Sequence, residues 1–174
     1  MQCGFVTIVG VPNAGKSTLV NQLVGSKVSI VSPKVQTTRR RILGVVMQDE
    51  SQIILVDTPG IFEPKKRLER AMVAAAWSSI EGSDVILVIA DATAYSQEPT
   101  LALIDKLKDA NIPIWLAINK IDQCPRAQLL PLISQLTQDK PIQKTYLISA
   151  LTRDGVDSLL KDLADKIGRA SCRE

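Results

Sequence analysis

The sequence predicts an α/β domain: a six-stranded, mostly parallel sheet with one antiparallel strand and about five helices on its two faces. Three observations predict it. Strand-length runs of Val, Ile and Leu alternate with helix-length polar patterns. One pair of runs is separated by only five residues, too few for a parallel crossover. The chain has 174 residues, 45% of them apolar, enough to bury one sizeable core.

The elements follow in order. Phe5–Val9 is a short β-branched run closed by Gly10, after which Leu19, Val20, Leu23 and Val24 recur at helical spacing up to Gly25. Ile42–Met47 and Ile53–Val56 read as the strands of a hairpin around the polar Gln48–Gln52. Val85–Ala90 and Ile114–Ile118 are continuous apolar runs of buried-strand length, and Thr145–Ile148 is a weaker strand. The remaining helices are expected over Lys66–Ile80, Glu98–Asn111, Arg126–Gln138 and Val156–Ile167. Ser26–Arg41 and Gly60–Lys65 read as long loops, which in a compact domain are often functional. Trp77 and Trp115 read as packing residues. The domain is expected to occupy residues 1–167. Arg169–Glu174 do not continue the helical pattern, so residues 168–174 are set aside as a tail, a truncation point or a cloning scar.

Composition excludes several chemistries. The chain has no histidine, which removes any imidazole base, His metal ligand or Ser-His relay. The three cysteines, Cys3, Cys124 and Cys172, are far apart and in no ligand spacing. Free thiols of this kind suit a reducing cytoplasm. No apolar run reaches the ~18 residues that suggest a membrane span, and the N-terminus leads straight into a strand with no signal-peptide pattern. Six aromatic residues, two each of Trp, Tyr and Phe, leave little for a single-strand stacking platform. The net charge of +3 is too small by itself to imply nucleic acid.

Gly10-Val-Pro-Asn-Ala-Gly15-Lys16-Ser17 matches G-x-x-x-x-G-K-[ST], directly after a strand and opening a helix. Such a loop turns successive backbone N–H groups toward an anion, and the following helix adds its positive end. Gly10, Pro12, Asn13, Ala14, Gly15, Lys16, Ser17 and Thr18 form the candidate phosphate-binding set. Lys16 supplies an ammonium to the outer phosphates, and the Ser17 hydroxyl can hold a phosphate-bound Mg²⁺.

Asn119-Lys120-Ile121-Asp122 lies at the carboxyl end of the Ile114–Ile118 strand, the edge where open α/β sheets bind ligands. The Asp122 carboxylate can accept two hydrogen bonds from guanine. Adenine offers neither donor and would leave a charged acceptor unpaired. Asn119 can reach the N7 side of the base and tie neighbouring loops together, and the Lys120 stem can lie over the ring. Ser149-Ala150-Leu151 follows the last strand, where a backbone N–H, that of Ala150 for choice, can meet the guanine oxygen. Asp57-Thr58-Pro59-Gly60 ends another strand; Asp57 can hold Mg²⁺ through water, and Gly60 can bring an N–H to a γ-phosphate. Gln36-Thr37-Thr38-Arg39 offers a threonine to complete the Mg²⁺ shell, Thr38 ahead of Thr37. A loop held only by a γ-phosphate is released when that phosphate leaves, which makes a switch.

These segments, in this order, resemble the translation-factor-related GTPases, whose G domain is a Ras-like P-loop fold. Gly-Val-Pro-Asn-Ala-Gly-Lys-Ser, Lys27-Val-Ser-Ile-Val-Ser-Pro-Lys-Val-Gln-Thr-Thr-Arg39 and Asp-Thr-Pro-Gly-Ile61 narrow the resemblance to the Era family, bacterial ribosome-assembly GTPases. It covers residues 1 to about 167. The Der and MnmE families share the phosphate loop but usually continue differently after it. The resemblance implies GTP and GDP as ligands, Mg²⁺ as cofactor and slow GTP hydrolysis. In the full-length protein it implies 16S rRNA binding through a C-terminal KH domain, small ribosomal subunit assembly, and a cytoplasmic location, peripheral at the inner membrane face at most. RNA binding by this stretch alone is not expected, nor any metal beyond Mg²⁺ and K⁺. Ile61 stands where many Ras-like proteins carry the water-orienting Gln. In the families it resembles, an Asn at the position of Asn13 helps bind K⁺; a plain turn former is the other reading. The candidate catalytic set is therefore Lys16, Thr38, Gly60 and Asn13, with Ser17, Thr38 and Asp57 at the metal. Lys34 with Arg39-Arg40-Arg41 is a basic cluster that could touch RNA phosphates or remain a solvated edge.

Overall fold

The computed structural model describes residues 2–25, 41–57, 77 and 80–170. One sheet contains β1 (Gln2–Gly10), β2 (Arg41–Gln48), β3 (Ser51–Asp57), β4 (Val85–Asp91), β5 (Ile114–Asn119) and β6 (Ile142–Leu147), in the order β2-β3-β1-β4-β5-β6. β2 and β3 pair antiparallel and the other pairings are parallel. The described residues contain four α-helices: α1 (Lys16–Val24), α2 (Glu98–Leu107), α3 (Arg126–Thr137) and α4 (Val156–Ala170). The helix expected over Lys66–Ile80 lies outside them except for Trp77 and Ile80, as do Lys34, Thr37, Thr38, Arg39, Arg40, Gly60, Ile61 and Cys172. No helix among the described residues is long and apolar enough to cross a membrane.

β4 and β5 lie inside the sheet, which explains why they read as unbroken apolar runs. Val85, Leu87 and Ile89 join the core under α1 and α4, whereas Ile86, Val88 and Ala90 join the core under α2 and α3. Alternate side chains thus bury on opposite faces. Each fully buried Leu or Ile contributes about 1.5–3 kcal/mol.

The structure departs from the expected boundaries where the apolar signal is weak. The hairpin strands close on the two residues Asp49-Glu50, with Asp49 in the left-handed conformation (φ 52) that so tight a turn favours. The last strand begins at Ile142, three residues before Thr145, because it is an edge strand in which Gln143, Lys144 and Thr145 are exposed. The final helix runs to Ala170, so Gly168 and Arg169, set aside with the tail, are helical. Ile167 is buried against Gly4 of β1, and the backbone completes its turn beyond the last apolar residue.

This topology decides where a site can form. From β1 the chain goes to the β2–β3 side, then crosses over to β4 on the other, so winding reverses at β1. The loop after β1 therefore emerges at the switch point, on the edge shared by the carboxyl ends of β3, β4, β5 and β6. α4 is clamped to β6 close to that edge. The Tyr146 hydroxyl donates to Asp162 Oδ2 at 2.7 Å, and Lys144 Nζ donates to the same oxygen at 3.1 Å. Lys144 Nζ also lies 4.9 Å from the centroid of the buried Trp115 ring. The bonds from Tyr146 and Lys144 hold the Asp162 carboxyl below the usual carboxylate range against its slight burial. Burial, then the neighbouring carboxylate, pushes the Tyr146 phenol far up, so it remains a donor.

Tyr146→Phe is expected to lower the unfolding free energy at neutral pH by about 1 kcal/mol. Because the folded pKa of Asp162 is depressed, its contribution is present above the unfolded value near ~3.9 and is lost as pH falls through the folded value. The difference between variant and parent should therefore shrink in acid. Urea denaturation at neutral pH and at about pH 3 measures it, and a difference unchanged by acid would contradict the linkage.

Candidate nucleotide site at the carboxyl edge of the sheet

The phosphate loop joins β1 to α1. Ala14 N–H donates to Val11 O at 3.2 Å, Asn13 is left-handed (φ 64), and Gly15 precedes the helix with φ 98 and ψ 21. The two glycines of the loop have different roles. Gly15 bends; a Cβ there would fall 2.1 Å from Asn119 Nδ2. Gly10 stays in the strand, where a Cβ would come within 3.0 Å of Ile89 O on β4. One glycine permits a backbone turn and the other a close strand approach. No side chain caps the first turn of α1, and no acidic residue lies within it. The helix thus presents its positive end uncompensated toward the loop. Ser17 and Thr18 stand exposed on that turn.

Lys16 Nζ donates to Asp57 Oδ1 at 2.6 Å, bringing together the ammonium expected at the phosphates and the carboxylate expected at the metal. Asp57 closes β3 and is 7% exposed.

Asn119 joins the parts. It closes β5 and is buried. Its Nδ2 donates to Ala14 O at 2.9 Å, and its Oδ1 accepts from Ala150 N–H at 2.8 Å. The phosphate loop and the loop after β6 are thereby held by one amide, which is the tying role expected of Asn119. The Ala150 N–H, expected to face a base oxygen, donates here to Asn119 Oδ1, because a buried amide oxygen needs a donor.

Lys120 is left-handed (φ 66), and its Nζ donates to Asn13 O at 2.7 Å and to Asp91 Oδ2 at 2.6 Å. Asp122 is exposed, and its Oδ1 accepts from the buried Ser149 hydroxyl at 2.7 Å. That hydroxyl oxygen also accepts from Thr152 N–H at 3.2 Å, and Ser149 N–H donates to Asp154 O at 2.9 Å. Leu151 is 69% exposed beside them. The structure thus gathers Gly10 to Thr18, Asp57, Asn119, Lys120, Asp122, Ser149, Ala150 and Leu151 along one edge. Thr38 and Gly60 lie outside the described residues.

Sequence reasoning missed two groups. The Ser149 side chain, valued only for its backbone, orients Asp122. Asp91, which pairs with Lys120, was not singled out. Its signal was available: a carboxylate ending the apolar run Val85–Ala90 on the ligand edge has no packing reason to be there.

Comparison with known proteins agrees with this geometry. A family model described as 50S ribosome-binding GTPase matches residues 5–120. GTPase Era of Bradyrhizobium sp. (strain ORS 278) is 51% identical over 166 residues, covering 95% of this chain and 54% of that protein. The chain thus spans about half the length of the curated relatives it matches. A crystal structure of an Aquifex aeolicus Era variant bound to GDP.AlF4- superposes with a TM-score of 0.76 at 45% identity, covering 96% of this chain and 57% of that one. An Era structure in complex with MgGDPNP and nucleotides 1506–1542 of 16S ribosomal RNA gives a TM-score of 0.76 at 44% identity, with 96% and 57% covered. The chain belongs to the 50S ribosome-binding GTPase family, and its G domain is of the Era type.

Proposed function

We propose that this chain binds GTP and GDP and hydrolyses GTP slowly, acting as a molecular switch. The observation that carries this reading is the Asn119 amide, which fixes the phosphate loop against the base loops. Guanine is read by Asp122, already oriented by Ser149. The backbone from Gly10 to Ser17, with Pro12, Ala14 and Thr18 shaping it, wraps the phosphates, and the open end of α1 attracts their charge. Lys16 lies over the outer phosphates.

Mg²⁺ fits the donors present. Ser17 offers a hydroxyl, a hard oxygen ligand, and the Asp57 carboxylate can hold the ion through water. Thr38 is the proposed further ligand. When bound, the ion neutralises charge on the phosphate oxygens. The chain's own contribution is positioning: Lys16 neutralises charge gathering on the departing phosphate, Gly60 is proposed to donate its N–H there, and the loop amides hold the groups in line. No described side chain is placed as a general base. Asn13, exposed on its left-handed turn, is proposed to help hold K⁺. In a protein of the relatives' full length, the switch would act through small-subunit rRNA, as the Era complex with 16S ribosomal RNA suggests. The second reading, a binding switch with negligible turnover by itself, is favoured by Ile61.

Asp122→Asn is expected to weaken GDP binding by about 1.5–3 kcal/mol, ten- to hundredfold, and to raise the affinity for xanthosine diphosphate. Competition against a fluorescent guanine nucleotide reads both, and undiminished GDP binding would contradict the base assignment. Turnover should be faster in KCl than in NaCl at matched ionic strength, and Asn13→Ala should remove the difference. Phosphate release assays measure it; equal rates in both salts for the parent chain would rule out the K⁺ role.

A further inference from the structure

Asp91 ends β4 with its carboxylate fully engaged. Oδ2 accepts from Lys120 Nζ at 2.6 Å, while Oδ1 accepts from Thr93 N–H at 2.8 Å and from the Thr93 hydroxyl at 2.6 Å. Its backbone is fixed as well. Asp91 stands in register with Asn119, and Ala92 N–H donates to Asn119 O at 2.9 Å. The buried Gln97 donates its Nε2 to Asp91 O at 2.8 Å. The side chain of Asp91 is only 15% exposed and that of Lys120 28%, so this pair is screened far less than a surface ion pair. Burial pushes the Asp91 carboxyl up, but the bonds from Lys120 and Thr93 outweigh it and hold the group below the usual carboxylate range. It is ionised at neutral pH.

Lys120 is the long-chain partner. Its four-carbon stem carries large rotamer freedom, and its backbone sits in the left-handed region that a lysine adopts only under constraint. Two acceptors on different loops, Asp91 Oδ2 and Asn13 O, fix its ammonium at both sides. The stem between is then held along the base side of the site.

We propose that Asp91 is a positioning residue for nucleotide binding: braced by Thr93, its carboxylate clamps Lys120 against the phosphate loop, so that the stem is ordered before the base arrives. The inference rests on the guanine-nucleotide reading above. Without the clamp, the ordering cost of Lys120 falls on binding instead of folding, and bound nucleotide escapes faster. Asn in place of Asp keeps the shape and an acceptor for Thr93, but loses the charge that makes the Lys120 bond about twice as strong as a neutral one.

The test is release of N-methylanthraniloyl-GDP, chased with excess GDP, from the parent chain, Asp91→Asn, Thr93→Ala, Lys120→Met and the double variant Asp91→Asn/Lys120→Met. Release is expected to be roughly tenfold faster for Asp91→Asn and about two- to threefold faster for Thr93→Ala. Asp91→Asn should change release by less than about twofold when Lys120 is already Met, because the clamp then has nothing to hold. Parent-like release from Asp91→Asn would overturn the proposal. So would the same acceleration in the Lys120→Met background, which a merely structural carboxylate would produce. If Asp91→Asn does not fold, the exposed Thr93→Ala carries the same comparison in both backgrounds. A parent chain that retains no labelled GDP would overturn the nucleotide reading and this proposal together.

Discussion

The buried amide of Asn119 is the constraint on which the site depends. An unpaired amide group inside a protein costs about 1–3 kcal/mol, so both ends of this one must find partners. Nδ2 finds Ala14 O and Oδ1 finds Ala150 N–H. Satisfying one side chain therefore fixes two loops that are distant in sequence. The rest of the edge is arranged around it: Gly15 lacks a Cβ because one would collide with Asn119 Nδ2, and β5 ends at this residue, beside β4. Lys120 and Asp122 follow directly, and each is tied back by a neighbour.

The fold was legible in the sequence where burial is complete and less so at its margins. β4 and β5 announce themselves because both faces are covered, so no polar residue interrupts them. β6 starts earlier than its apolar pattern suggests, because an edge strand keeps its backbone ladder whether or not its side chains are apolar. The end of α4 was missed for a related reason: helical hydrogen bonds continue for a turn past Ile167.

The site was legible as far as its chemistry is local. The phosphate loop and Asn119-Lys120-Ile121-Asp122 carry their meaning in the spacing of a few residues. Ser149 and Asp91 do not. Each acts on a side chain far away in sequence, Asp122 and Lys120 respectively, and only the strand order brings them together. The bond from the Ala150 N–H to Asn119 was not legible, because the need of the Asn119 oxygen is visible only once Asn119 is buried. A motif names the groups expected to face a ligand, and burial determines which groups orient them.

Asn119 holds the phosphate loop and the base loops as one unit. Hydrogen exchange of the nucleotide-free chain tests it most directly, comparing the parent with Asn119→Ala. In the variant, protection should fall together at Ala150 and around Ala14–Lys16, while amides of β1 and β4 keep theirs. Loss confined to Ala150, with the phosphate loop unchanged, would contradict it.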